Sequence, residues 1–209
     1  MPLRRLFAAL ILVTILGIAA AAQSKNELAG TIGRTFISDQ GVPGTNFFDN
    51  VIHSGKGLTF EVDYARHVMG NGNFLQLSLE VPVVFNPDED LNYGLNVIPQ
   101  DYSSFFVTPG VRLNVFADTA ISPWVSFGGG FGRFKESDTL LFGGKNPGST
   151  GTTTGVFQFG AGLDVRVWRT VAIRGELRDF DSGVPQLNVD TGKSRQHNLY
   201  VGGGLVFHF

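Results

Sequence analysis

Period-2 alternation, sustained through segment after segment, restricts this chain more than any other feature. Leu58, Phe60, Val62 and Tyr64 are apolar at every second position, with Thr59, Glu61 and Asp63 between them. Leu75, Leu77, Leu79, Val81 and Val83 alternate with Gln76, Ser78 and Glu80. The same rhythm sets Phe105, Val107, Val111, Leu113 and Val115 against Thr108, Arg112 and Asn114. It sets Phe157, Phe159, Ala161, Leu163, Val165 and Val167 against Gln158, Asp164 and Arg166, and Val171, Ile173 and Leu177 against Arg174, Glu176 and Arg178. Successive Cβ atoms of a strand point to opposite faces, so each segment is a strand with one apolar and one polar side.

The pattern gives eight strands: Glu27–Phe36, Gly57–His67, Asn73–Phe85, Ser103–Phe116, Pro123–Phe134, Thr153–Val167, Val171–Phe180 and Gln196–Phe209. Many exceed the about five or six residues of a soluble strand. A tilted strand needs roughly 9–11 to cross a bilayer. In the first strand Leu28, Ile32 and Phe36 share a face with Arg34, which leaves its register open. Short links, Val68–Gly72, Ala117–Ser122 and Trp168–Thr170, alternate with long ones, Ile37–Lys56, Asn86–Tyr102, Lys135–Thr152 and Asp181–Arg195. Short turns on one rim and long, solvated loops on the other are the layout of an up-and-down transmembrane barrel. Both chain ends then lie on the short-turn, periplasmic side. The even strand count lets the first strand pair with the last, leaving no edge unsatisfied in hydrocarbon.

Alternation alone does not say which way the apolar face points. A lipocalin-like soluble barrel also has eight strands and turns that face inward. Three features favour an apolar outside. The polar rows carry Glu61, Asp63, Glu80, Arg112, Asp164, Arg166, Arg174, Glu176 and Arg178 in mid-strand. A charge facing lipid at the midplane costs roughly 2–4 kcal/mol, whereas opposite charges inside a narrow barrel can pair. The same rows hold Gly110, Gly128, Gly130, Gly132, Gly160, Gly162, Gly202 and Gly204, which leave room for long side chains. Aromatic residues gather toward strand ends: Phe36, Phe60, Phe85, Phe105, Phe134 and Phe180 at the long-loop rim, Phe116, Trp124, Trp168 and Phe209 at the other. Such belts suit a membrane interface.

Residues 1–22 have the layout of a secretory signal: Arg4 and Arg5, an apolar run from Leu6 to Ala19, and Ala20-Ala21-Ala22 before Gln23. The alternative is an N-terminal anchor, but the small-residue ending favours cleavage. The mature barrel domain is then 23–209. No cysteine occurs, which is compatible with an oxidising compartment and excludes a lipid-anchored lipoprotein. Charged residues make up 16%, below the roughly 25% of soluble domains. A net charge of −2 gives no nucleic-acid footprint.

The last segment, QHNLYVGGGLVFHF, alternates to its final residue, with Leu205, Phe207 and Phe209 on one face. With this closing strand, the stretch from Gln23 to Phe209 resembles the OmpA-like or OmpX-like family of eight-stranded outer-membrane β-barrels. The resemblance implies that Leu205, Phe207 and Phe209 form a C-terminal signal for the barrel-assembly machinery. It implies a monomer surrounded by outer-membrane lipid and lipopolysaccharide, with a structural or adhesin-like role through its external loops. The periplasmic peptidoglycan-binding domain of full OmpA-type proteins is not expected here. Neither catalysis, nor a cofactor, nor a bound metal is expected.

The interior charges have two readings. One is a packed polar core, which an eight-stranded interior filled by side chains favours. The other is a narrow gated pore in which Glu61, Glu80, Arg112, Arg174 and Glu176 exchange partners; Arg112→Ala or Glu80→Ala would then raise conductance. A third function, lipid A modification, needs a His, Ser and acid set near one rim. The histidines are His53, His67, His197 and His208, and no His-x-Ser-Asn stretch of the deacylase type is present. They are read as solvated or interfacial. Gly128-Gly129-Gly130-Phe131-Gly132 lies inside a strand pattern with no helix after it, so it is not a nucleotide loop. Pro87-Asp88-Glu89-Asp90 lacks the spaced ligands of a Ca²⁺ loop and is read as a solvated charge run.

Overall fold

The computed structural model describes residues 25–44, 50–55, 57–71 and 74–209; the expected leader, 1–22, lies outside them. Its strands are β1 (Asn26–Ile37), β2 (Gln40–Gly41), β3 (Val51–Ser54), β4 (Leu58–Asn71), β5 (Leu75–Asn92), β6 (Asp101–Val107), β7 (Gly110–Val115), β8 (Ile121–Glu136), β9 (Thr152–Arg166), β10 (Val171–Gly183) and β11 (Arg195–His208). The antiparallel wall runs β1–β4–β5–β6/β7–β8–β9–β10–β11, a ring of eight. It closes where β1 pairs with β11, from Glu27 opposite His208 to Ile37 opposite Asn198. Asn26 and Phe209 extend that seam with reciprocal backbone hydrogen bonds of 3.0 and 2.9 Å. Among the described residues no helix is long and apolar enough to cross a membrane.

The apolar rows form the outer wall. Val62 and Phe159 are each 53% exposed, while Glu61 and Asp63, flanking Val62, are buried. β1 follows the same rule: Leu28, Ile32, Arg34 and Phe36 are exposed, and Ala29, Thr31 and Thr35 are buried. The open register of this strand is thereby fixed, with Arg34 on the outer wall.

Several expectations need correction. Ser103–Phe116 is not one strand but β6 and β7, interrupted at Thr108-Pro109. The register is unbroken, with Val83 facing Val107 and Glu80 facing Gly110. Only hydrogen bonds are lost. The Thr108 N–H donates to the Pro82 carbonyl at 3.3 Å, but Pro82 has no N–H to return, and Pro109 none to offer β8.

The long connections are also more structured than solvated loops. β5 and β6 continue past the lipid-facing rows, and β3 adds to β5 with His53 opposite Asn92. Pro87–Asp90 lies inside β5. A bulge between Asn86 and Glu89 shifts the register and turns Glu89 inward, where it is fully buried.

Phe134, Phe180 and Trp124 do not belong to the interfacial belts. Their exposures are 0%, 1% and 2%. They stand on the inward rows, where neighbouring glycines provide space. A Cβ at Gly162 would overlap the Trp124 ring, and one at Gly132 would meet Phe106 at 2.6 Å.

Candidate functional site in the barrel interior

The bore holds a small cavity at one mouth and two packed layers beyond it. At the short-turn mouth a polar cavity of about 80 Å³ is lined by Glu27, Asn114, Asp164, Arg166 and His208, among others. Arg166, on the inward row as expected, lines this cavity and donates to the turn carbonyls of Ala117 and Asp118 at 2.7 and 3.3 Å. His208 lies 3.8 Å from Glu27 at the same mouth.

Above the cavity, Arg112, Arg174 and Arg178 surround Trp124, with guanidinium carbons 5.6, 5.0 and 5.0 Å from its ring centroid. Cations over an indole face are attracted to its π system. The indole N–H donates to Asp164 at 3.3 Å. Asp164 also takes a two-pronged bond from Arg174, 2.8 Å on each arm. Glu27 bridges Arg174 at 2.6 Å and Arg112 at 2.7 Å. Asp63 Oδ2 sits among all three guanidiniums at 3.3, 3.3 and 3.5 Å. Arg178 grips Glu80 from the far wall at 2.8 and 3.4 Å. Fork-on-carboxylate geometry of this kind is the strongest ionic arrangement available to a side chain.

Carboxylates outnumber guanidiniums in this layer. Glu27, Glu61, Asp63, Glu80, Asp164 and Glu176 face Arg112, Arg174 and Arg178. The single Nε–H of Arg178 lies 3.0 Å from Glu61 and 3.1 Å from Glu176, and it is aligned only on Glu176. Both Glu61 oxygens and Asp63 Oδ1 are therefore without a hydrogen bond among the described residues. Glu176 is further held by the Thr31 hydroxyl at 2.7 Å, and Thr31 touches the Tyr200 hydroxyl at 2.8 Å.

Tyr200 marks the change to the outer layer, where an aromatic and aliphatic cluster packs beside the buried amides of Gln196 and Asn198. Phe106 stacks on Phe180 with centroids 5.2 Å apart, and Phe134 meets both Phe106 and Tyr102 edge-on. Val42, Ile52, Ile98 and Leu187, from the external connections, pack onto this cluster. Alternation of polar and apolar rows gave no signal for it, because these aromatic residues share their rows with charges and glycines.

Outside the lipid-facing rows, Glu89 accepts hydrogen bonds from Gly57 N–H at 3.0 Å and Asn86 at 2.8 Å. Burial raises its pKa above the ordinary carboxylate value despite those bonds. Asp101 is raised as well, by burial and then by the charges of Asp88 and Asp90.

Of the histidines, His197 lies 2.7 Å from Asp179 and His53 lies 2.8 Å from Asp39, both exposed at the outer rim. Ser38 lies in the same outer groove as His197 but makes no hydrogen bond among the described residues. Among the described residues, Ser38 therefore forms no nucleophile–base pair with His197.

A family profile described as "Outer membrane protein beta-barrel domain" matches residues 6–207. Among solved structures, the chain is similar to Neisserial surface protein A at 12% identity, with a TM-score of 0.56 over 89% of this chain and 98% of that one. It is similar to the outer membrane protein OprG of Pseudomonas aeruginosa at 10% identity, with a TM-score of 0.51 over 89% and 97%. At these identities the likeness is one of fold. No curated protein sequence matches.

Proposed function

The chain belongs to the outer membrane protein β-barrel domain family, and from that premise we propose that it serves envelope integrity or surface interaction through its external loops, not passage of solutes. One observation carries this reading: the bore is occupied at two successive levels. The arginine–tryptophan layer lies below, and the Phe106, Phe134 and Phe180 cluster lies above with loop residues packed into it. Fluctuating ion pairs in the lower layer would not clear the upper one.

Planar-bilayer recording tests this directly. The folded protein, Arg112→Ala and Glu80→Ala are all expected to give no discrete conductance steps. Steady unitary steps from the parent would overturn the reading in favour of a pore. The two roles that remain are separated by complementing a deletion strain with a barrel whose external loops are replaced by short turns. Restored detergent resistance identifies an envelope role. Restoration only by the full-length loops identifies a surface one.

A further inference from the structure

Among the carboxyl groups of the arginine–tryptophan layer, Glu61 stands apart. Each of the others accepts at least one aligned hydrogen bond. Glu27 and Asp164 accept from Arg174, Asp63 from Arg112, Glu80 from Arg178, and Glu176 from both Thr31 and Arg178. Glu61 is 2% exposed, and neither of its oxygens accepts a hydrogen bond among the described residues. Its Oε1 lies 3.0 Å from Arg178 Nε, but that N–H is aligned on Glu176 Oε2, 3.1 Å away.

Strand register explains why the two carboxyl groups crowd one donor. Glu61 on β4 faces Thr31 on β1, and Thr31 faces Gly204 on β11. Gly202, on the same inward row as Gly204, faces Glu176 on β10. A small hydroxyl residue and two glycines thus form a low floor between β4 and β10, over which two long side chains lean together. The other charged and titratable groups facing Glu61 are Asp63 on its own strand, Arg174 and Arg178 on β10, and Tyr200 on β11. Their donors are already committed. Arg174 serves Asp164, Asp63 and Glu27. The Thr31 hydroxyl donates to Glu176, which leaves the Tyr200 hydroxyl as donor to Thr31.

An ionised carboxylate buried without a hydrogen bond is too costly to keep, and two carboxyl groups at one site do not readily ionise together. A guanidinium, a metal cation or a proton can relieve the pair. The guanidiniums are outnumbered and engaged. A hydrated cation needs room, and the cavity at the short-turn mouth is lined by Glu27 and Asp164, not by Glu61 or Glu176. A proton needs none. It also converts an acceptor-only group into a donor, and an O–H on an ionised oxygen is among the stronger hydrogen bonds. We propose that Glu61 is a proton-binding site: in the folded barrel it holds a proton taken from solvent and shares it, as a hydrogen bond, with ionised Glu176.

The test uses the whole protein folded in detergent micelles at neutral pH. The infrared difference spectrum, parent minus Glu61→Gln, is expected to contain the C=O stretch of an un-ionised carboxylic acid, displaced in heavy water. Glutamine copies the shape of the neutral acid, so Glu61→Gln should keep the parent's urea midpoint. On refolding from urea into micelles it should take up about one proton fewer per chain than the parent. Glu89→Gln, beyond the aromatic cluster, should leave the Glu61 band in place. A Glu61→Gln chain that loses heat-modifiable gel mobility counts against the proposal, because a mimic of the proton-bound state should fold. A destabilised Glu61→Gln beside a silent Glu176→Gln overturns the assignment and moves the proton to Glu176. No acid band, with equal proton uptake by parent and Glu61→Gln, overturns the site. A parent midpoint that then rises more in sodium chloride than in choline chloride of equal strength identifies a metal cation in its place.

Discussion

Arg178→Met puts the interior layer to its hardest test. Arg178 has no exposure. Its donors reach Glu176 at 3.1 Å, Glu80 at 2.8 and 3.4 Å, Ser126 at 3.2 Å and Asp63 at 3.5 Å. Methionine fills much of the arginine stem's volume and supplies none of those donors. Removing one side of a buried ion pair costs about 3–5 kcal/mol, because the opposite charge stays buried and uncompensated. Adding Glu80→Gln removes part of that stranded charge. The double variant is expected to recover about 1–3 kcal/mol relative to simple addition. Urea titration in micelles, followed by Trp124 fluorescence in a Trp168→Phe background, measures both. Trp168 is 72% exposed and Trp124 2%, so only the latter reports on the layer. A loss below about 1 kcal/mol for Arg178→Met, or a deeper loss on adding Glu80→Gln, would refute the account of Arg178 as a cation that compensates the buried carboxylates around it.

Further outcomes follow from other levels of the barrel. Glu89 has a pKa raised above 4.5 by burial, so the folded protein binds that proton more tightly than the unfolded chain does. Stability around Glu89 should fall as pH rises from the ordinary value through the raised one. Glu89→Gln should flatten this slope, read as the difference in hydrogen exchange at the Gly57 amide between parent and variant at each pH. A Cβ at Gly202 would overlap the Tyr200 ring, so Gly202→Val is expected to cost about 1–3 kcal/mol from overpacking. The cost should shrink in a Tyr200→Ala background, as judged by urea midpoints. Phe209→Ala leaves the backbone bonds with Asn26 in place. It should lower the amount of protein in outer-membrane fractions of cells without changing refolding in detergent, which separates an assembly signal from a structural role.

Much of the wall was legible because parity is arithmetic. Once Val62 is outside, Glu61 and Asp63 are inside, and all three are found so. Trp124 and Phe134 show how that arithmetic can be overridden by a weaker cue. Both lie on the same row as Gly128, Gly130 and Gly132, which alone sends them inward. Their position near strand ends suggested an interfacial belt instead. Row membership is the stronger constraint, since a one-residue slip would invert every side chain of the strand. Glu89 is the opposite case. The bulge that turns it inward depends on how β5 meets β6, and no residue within Pro87–Asp90 announces it.

The ion pairs divide along the same line. Asp164 and Arg174 sit directly opposite each other on β9 and β10, joined by a very short turn. Turn length sets hairpin register, so this pair follows from local sequence once the turn is placed. Arg178 and Glu80 are 98 residues apart and reach each other across the bore from β10 and β5. No hairpin relates those strands. Their meeting depends on strand tilt and on the relative heights of distant rows, which accumulate around the closed ring. The glycines at 162 and 202 are a nearer trace of how the interior packs, since Trp124 and Tyr200 occupy the space that a Cβ there would need. Pairs of inward glycine and inward large residue therefore carry information about the packed interior that charge patterning alone does not.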